Sequence, residues 1–186
     1  MGALKQIHKL VVAASVCAGL AAGPAASQQR DLDELFAALK TAEGDAVVAI
    51  EQKIYEEWSQ SGSPAMDLLL DRGREAMEAQ EWDVAIGHFS ALIDHAPDFA
   101  EGYNARATAY FQAERFGEAL EDIRRTLALN PQHFGAMSGL AIILERIGED
   151  DAALEAWREV AKITPNHPEL DEVMERLERR TMGETL

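Results

Sequence analysis

Four histidines beyond the N-terminal region are the side chains best suited to bind a metal ion or to move protons. His88 and His95 lie seven residues apart on one predicted helix, whereas metal ligands on a helix are usually three or four residues apart. His133 and His167 occupy the same place in two copies of a sequence repeat, so repetition accounts for both. We therefore predict no metal site and no cofactor.

Carboxylates are the second group that could do chemistry. We expect Glu101, Glu118, Glu121 and Asp122 to lie where the predicted helices face solvent. The chain has no glycine-rich phosphate loop, no HExxH and no GxSxG motif, which are local signatures of nucleotide, zinc and serine-hydrolase sites. These observations predict a protein that is not an enzyme and has no catalytic residues.

The charge of the chain restricts its partners. Its 33 acidic and 17 basic residues give a formal net charge of -16. Binding to nucleic acid depends on lysine and arginine neutralising phosphates, and docking on anionic lipid depends on basic clusters. We expect neither kind of partner. A content of 47% apolar and 27% charged residues is typical of a folded globular protein.

The first 27 residues have the pattern of a secretion signal. Lys5 and Lys9 precede an apolar run from Leu10 to Ala22, and small residues up to Ser27 suit cleavage before Gln28. We expect a periplasmic protein with no stable membrane insertion after cleavage, and an uncleaved membrane anchor is the alternative. Cleavage also removes Cys17, the single cysteine, and leaves no thiol chemistry.

The rest of the chain is organised by a repeat of 34 residues. Pro97, Pro131 and Pro165 stand 34 residues apart. Three further series keep the same register: Ala85, Ala119 and Ala153; Phe89, Ile123 and Trp157; Gly73, Ala107 and Ala141. Each copy contains two stretches with helical apolar spacing, and a proline after the second stretch stops the helix. A single helix pair cannot bury its apolar face, so neighbouring pairs must stack.

The period and the residue types resemble the tetratricopeptide repeat (TPR) family, with copies at residues 66–99, 100–133 and 134–167. The resemblance implies an all-α, right-handed α-solenoid of three helix pairs over residues 66–167. The chain departs from the family pattern at Arg72 and Arg106, where the motif usually has leucine.

Helical segments are also predicted on both sides of the repeats. Residues 168–180 carry Leu170, Val173, Met174 and Leu177 on one face, which indicates a capping helix. Residues 31–60 form two amphipathic segments, a predicted N-terminal helical hairpin outside the repeat register. Ser63 and Pro64 then suit the N-cap and first turn of the next helix. The sequence leaves open whether the hairpin packs on the repeats.

The resemblance also implies where a partner would bind, because the first helix of each TPR repeat lines a groove that holds extended peptides or helices. By this analogy the candidate groove residues are Leu70, Arg74, Met77, Asn104, Thr108, Phe111, Ser138, Ile142, Glu145 and Arg146. Alternatively, the apolar members fill the groove wall or touch the hairpin.

Some TPR domains bind the acidic C-terminus of a chaperone through lysine and asparagine side chains. The matching positions here are Leu70, Arg74, Ala105, Gly135 and Gly139. Four of these five lack the required donors, so the resemblance implies that this ligand mode is absent.

Together these features predict a protein–protein interaction module, an adaptor or scaffold of the bacterial cell envelope that binds another protein or peptide segment. The small periplasmic TPR proteins of Gram-negative bacteria have a similar layout. Two alternatives remain, a non-catalytic subunit of an envelope enzyme or assembly complex, and a self-associating structural protein that forms a homo-oligomer.

Overall fold

The computed structural model describes the backbone of residues 24–183 and the side chains of residues 30–183. Nine α-helices and no strand are found in this range, which confirms the all-α prediction. The proposed signal segment lies largely outside it, in residues 1–23. The helices are α1 (Pro24–Leu39), α2 (Asp45–Trp58), α3 (Pro64–Glu78), α4 (Trp82–His95), α5 (Ala100–Gln112), α6 (Phe116–Leu129), α7 (Phe134–Arg146), α8 (Asp150–Ile163) and α9 (Leu170–Thr181).

Helices α3 to α8 form three stacked pairs, α3–α4, α5–α6 and α7–α8. The small residues that recur every 34 positions are buried, for example Ala85, Ala119 and Ala153, which are 0% exposed. A Cβ at Gly73 would lie 2.1 Å from the ring of Phe89. Glycine is therefore required at this position, because the ring occupies the space that a side chain would need.

The turns inside the three pairs share one backbone conformation. Gln80, Glu114 and Gly148 occupy equivalent positions and all have positive φ, at 60°, 58° and 84°. Glycine adopts this region readily, whereas glutamine and glutamate do so at a cost. The first two turns thus keep the same backbone conformation as the third although they lack its glycine.

The C-terminal helix covers the last pair, as predicted. Leu170 and Leu177 of α9 are buried against Trp157 and Val160 of α8. The helix begins at Leu170, two residues later than Pro168, which lies in the preceding turn. The N–H of Leu170 donates to the carbonyl of His167 in that turn.

The N-terminal hairpin packs on the repeat array. Val47 and Ile54 of α2 form a buried cluster with Leu39 of α1 and Phe134 of α7, and Ile163 at the end of α8 packs against it. The Asn166 side chain donates to the carbonyl of Ala42, 2.8 Å away. Ser63 and Pro64 begin α3 as the N-cap and first residue. The open question about the hairpin is thereby answered: α2 crosses the array from the first pair to the loop that follows the third.

Candidate partner-binding site

A cavity of about 410 Å³ lies between α2, α5 and α7, and we call it the groove cavity. Helical spacing explains its lining, since Asn104, Thr108 and Phe111 share one face of α5, and Ser138 and Ile142 share one face of α7. These helices also contribute Gln112 and Gly139, the hairpin contributes Glu51 and Tyr55, and the segment after α8 contributes Thr164 and His167.

Five of the ten candidate groove residues line this cavity. They are Asn104, Thr108, Phe111, Ser138 and Ile142. Ile142 is 41% exposed, so it presents apolar surface to this cavity. The structure thus brings together all three candidates of the second repeat and two of the four candidates of the third.

The other five candidates have different surroundings. Leu70 is 1% exposed and Met77 packs on the same apolar cluster of the first repeat. Arg74 pairs with Glu101. Glu145 accepts hydrogen bonds from Trp157 and Arg176, which tie it to α8 and α9. The guanidinium of Arg146 lies over the ring of Phe111, 5.8 Å from its centre, at the edge of the groove cavity.

A buried carboxylate forms part of the cavity wall. Glu51 of α2 is 6% exposed. Its Oε1 accepts a hydrogen bond from the Thr164 hydroxyl at 2.7 Å, and Nδ1 of His167 lies 3.1 and 3.2 Å from its two oxygens. Within residues 30–183, no lysine or arginine forms a salt bridge with Glu51. Sequence analysis missed this residue because its partners are more than a hundred positions away.

A second buried carboxylate joins the hairpin to the first two repeats. Glu101 of α5 is 5% exposed and accepts hydrogen bonds from Arg74 at 2.9 Å and from Asn104 at 3.1 Å. Arg74 also donates to the Ser59 hydroxyl at the end of α2. Nδ1 of His133 accepts the N–H of Ala136, so its Nε2 carries the proton and faces Glu101 at 3.2 Å.

Aromatic rings complete the contact between hairpin and repeats. Trp58 stacks on His133 with ring centres 4.2 Å apart, and Tyr55 meets Phe134 edge-on at 5.1 Å. A Cβ at Gly135 would lie 2.3 Å from the Tyr55 hydroxyl oxygen. Burial and the neighbouring carboxylates, Glu101 and Glu51, raise the pKa of Tyr55, so its phenol stays protonated.

The expectation that four carboxylates face solvent is wrong for two of them. Glu101 and Asp122 are buried. Asp122 accepts two hydrogen bonds from Arg106, from Nε at 2.7 Å and Nη2 at 2.8 Å, and this pairing raises the pKa of Arg106. Arg106, one of the two arginines that depart from the family pattern, could have indicated this pairing from the sequence, because a buried cation requires a buried anion.

The remaining two carboxylates, Glu118 and Glu121, are exposed as predicted. Hydrogen bonds from Arg115 and Arg124 lower their respective pKa values. The two histidines of α4 lie near the surface: His88 is half-buried and His95 is exposed. The described part of the chain contains no group of three or more histidine, cysteine, aspartate or glutamate side chains arranged to hold a metal ion.

The positions matching the chaperone-binding pattern offer no free cation. Leu70 and Ala105 are buried, Gly135 lies under Tyr55, and Gly139 lines the groove cavity. Arg74 is already paired with Glu101.

Comparison with known proteins supports the repeat register. The tetratricopeptide repeat profile matches residues 70–125 and 104–168, which together span more than half of the chain. The chain belongs to the tetratricopeptide repeat family. It is 34% identical over 158 residues to a TPR repeat-containing protein of Rhizobium etli, covering 84% of this chain and 78% of that one. TPR domains are typically non-catalytic modules for protein–protein interaction.

More distant TPR proteins match part of this family member. It is 27% identical over 114 residues to the small glutamine-rich tetratricopeptide repeat-containing protein 2 of Saccharomyces cerevisiae, covering 61% of this chain and 33% of the yeast protein. The first TPR domain of Spaghetti, solved with an HSP90 peptide bound, superimposes with a TM-score of 0.60 at 21% identity. That match covers 63% of this chain and 93% of that domain, and it shows the fold.

A helix needs about 20 consecutive, mostly apolar residues to cross a membrane. Between residues 24 and 183, no helix is both long enough and apolar enough to span a bilayer.

Proposed function

We propose that this TPR protein is an adaptor or scaffold that holds an extended segment of a partner protein in the groove cavity. The observation that carries the proposal is the cavity itself, with Phe111 and Ile142 as apolar walls between the first helices of two repeats. A volume of about 410 Å³ is in the range of pockets that enclose a small ligand or a few side chains.

The polar groups of the cavity suit a peptide. One of the two side-chain N–H groups of Asn104 and the hydroxyl protons of Thr108 and Ser138 are donated within the protein. Their oxygens remain able to accept hydrogen bonds. A partner in extended conformation can therefore place its backbone N–H groups on these acceptors and an apolar side chain between Phe111 and Ile142.

The location that we propose is the cell envelope of a Gram-negative bacterium, with residues 1–27 removed on export. The basic start, the apolar run and the small residues before Gln28 support this proposal. Fractionation of cells followed by mass measurement of the isolated protein tests it. We expect a periplasmic chain that begins at or near Gln28, and a cytoplasmic chain that retains Lys5 and Lys9 would contradict it.

Photocrosslinking in cells tests the binding site. A photoreactive residue at Thr108, which is exposed and lines the groove cavity, should capture one dominant partner through a short contiguous segment. The same residue at Leu68, which is 49% exposed on α3 and away from the cavity, is the matched control. Equal capture at both positions would exclude the groove cavity as the binding site. Capture of a second copy of the chain would instead favour the self-associating alternative.

A further inference from the structure

We infer that the groove cavity selects a lysine or arginine side chain of the partner, with the cation beside Glu51 and its apolar stem between Phe111 and Ile142. This inference rests on the proposed function and adds the chemical class of the ligand. It starts from a buried negative charge that the protein leaves without a permanent cation.

The charge balance of the cavity wall points to a cation. Glu51 is 6% exposed, and a buried carboxylate is stable when a cation and several hydrogen bonds compensate it. Each of the other two buried acids has an arginine: Glu101 pairs with Arg74, and Asp122 pairs with Arg106. The corresponding partner of Glu51 is a histidine, His167. Among the buried acids of residues 30–183, Glu51 is the one that has no arginine or lysine partner.

The hydrogen bonds of Glu51 leave room for another donor. Its Oε1 accepts from Thr164 at 2.7 Å, whereas Oε2 has one contact, 3.2 Å from Nδ1 of His167. A carboxylate oxygen accepts two hydrogen bonds. Nδ1 of His167 faces both oxygens, so this nitrogen carries a proton and donates it to the carboxylate.

The remainder of the cavity matches the same ligand. Among residues 30–183, no lysine or arginine lines it, and the hydroxyl groups of Thr108 and Ser138 already donate their protons to backbone carbonyls. Lysine and arginine bury their apolar stems against such surfaces as Phe111 and Ile142 while their charged ends reach polar groups. The net charge of -16 also increases the encounter rate with a basic segment.

An acidic ligand does not suit the cavity. It would place a second negative charge beside Glu51 and would meet acceptors where it needs donors. The positions where related domains carry donors hold Ala105, Gly135 and Gly139. Arg146 does not line the cavity, and its guanidinium lies over the ring of Phe111.

Selection from a random heptapeptide phage library on the purified full-length chain tests the inference. We expect the enriched peptides to share a lysine or arginine next to an apolar residue. A fluorescent copy of the best peptide is then measured with the wild type, Glu51→Gln and Glu56→Gln. Glutamine retains an oxygen for Thr164, and Glu56 is an exposed residue of the same helix that loses the same charge. Ile142→Ala is measured in parallel.

Loss of one charge-assisted hydrogen bond should weaken binding to Glu51→Gln about tenfold or more. Replacing the basic residue of the peptide by methionine should weaken binding to the wild type equally and leave Glu51→Gln unaffected. Glu56→Gln should bind as the wild type does.

Two results would overturn the inference alone: enriched peptides without a basic residue that still require Ile142, or equal affinities for Glu51→Gln and Glu56→Gln. Failure to enrich any peptide, or binding that is indifferent to Ile142→Ala, would overturn the proposed function itself.

Discussion

Gly135→Ala should displace the N-terminal hairpin from the repeat array. The new Cβ would lie 2.3 Å from the Tyr55 hydroxyl oxygen and 3.1 Å from two ring carbons. Tyr55 cannot swing away freely because its ring is packed against Trp58 and Phe134. The substitution must therefore move α2 or force Tyr55 out of its place.

The magnitude follows from two opposing effects. Overpacking a filled site costs about 1–3 kcal/mol, while alanine gains about 0.5–1 kcal/mol over glycine in a helix. We expect a net loss of about 1–2 kcal/mol in the free energy of unfolding, or about 2–8 °C in melting temperature. Hydrogen exchange of the backbone amides in residues 45–58 should become faster, since the hairpin loses its contact.

The matched control is Gly117→Ala. Gly117 is the second residue of α6, as Gly135 is of α7, and a Cβ there meets no atom within 4 Å. Thermal unfolding followed by circular dichroism should show this variant to be as stable as the wild type or more stable. If Gly135→Ala had the same melting temperature as Gly117→Ala, and α2 exchanged no faster, the described docking of the hairpin would be refuted.

Two further predictions concern the core of the array. Arg106→Leu restores the leucine usual in the family but leaves Asp122, which is 4% exposed, without its cation, so it should destabilise the protein by about 3 kcal/mol in urea unfolding. Adding Asp122→Leu should recover most of that loss, and a single variant as stable as the wild type would show that the pair is unimportant. Leu177→Ala, at a fully buried position of α9, should cost about 2–5 kcal/mol in the same assay. Leu68→Ala, at an exposed position, should change stability by less than about 0.5 kcal/mol, and equal losses would show that α9 does not cap the array.

Local pattern was sufficient to predict the helix pairs. The spacing of Ala85, Ala119 and Ala153, and the proline that follows each pair, depend on neighbours within one repeat. Such contacts recur every 34 residues and leave a signal in the sequence. The face of α9 was predictable for the same reason, because Leu170 and Leu177 lie one above the other on a regular helix.

The docking of the hairpin left no comparable signal. The hydrogen bond from Thr164 to Glu51 joins residues that are 113 positions apart, and the stacking of Trp58 on His133 joins α2 to the start of α7. Neither contact repeats, so periodicity does not show it. The two histidines were explained by repetition, yet each faces a buried carboxylate of a different element.

Half of the candidate groove could be predicted because TPR geometry sets which face of α5 and α7 turns inward. Arg74 was predicted to line the groove, but an internal carboxylate, Glu101, already accepts a hydrogen bond from it. The sequence could not show this pairing, since the two residues lie on different repeats and neither position favours a charged residue by pattern alone.

The affinity of the captured partner for Ile142→Ala tests the central claim most directly. Ile142 is 41% exposed, and covering that remaining surface is worth about 1 kcal/mol, so we expect about fivefold weaker binding by calorimetry. Ile147→Ala, at a site that is 50% exposed but lies after α7 and outside the groove cavity, should bind as the wild type does. Unchanged binding by Ile142→Ala, or an equal loss at Ile147, would contradict the assignment of the partner to this cavity.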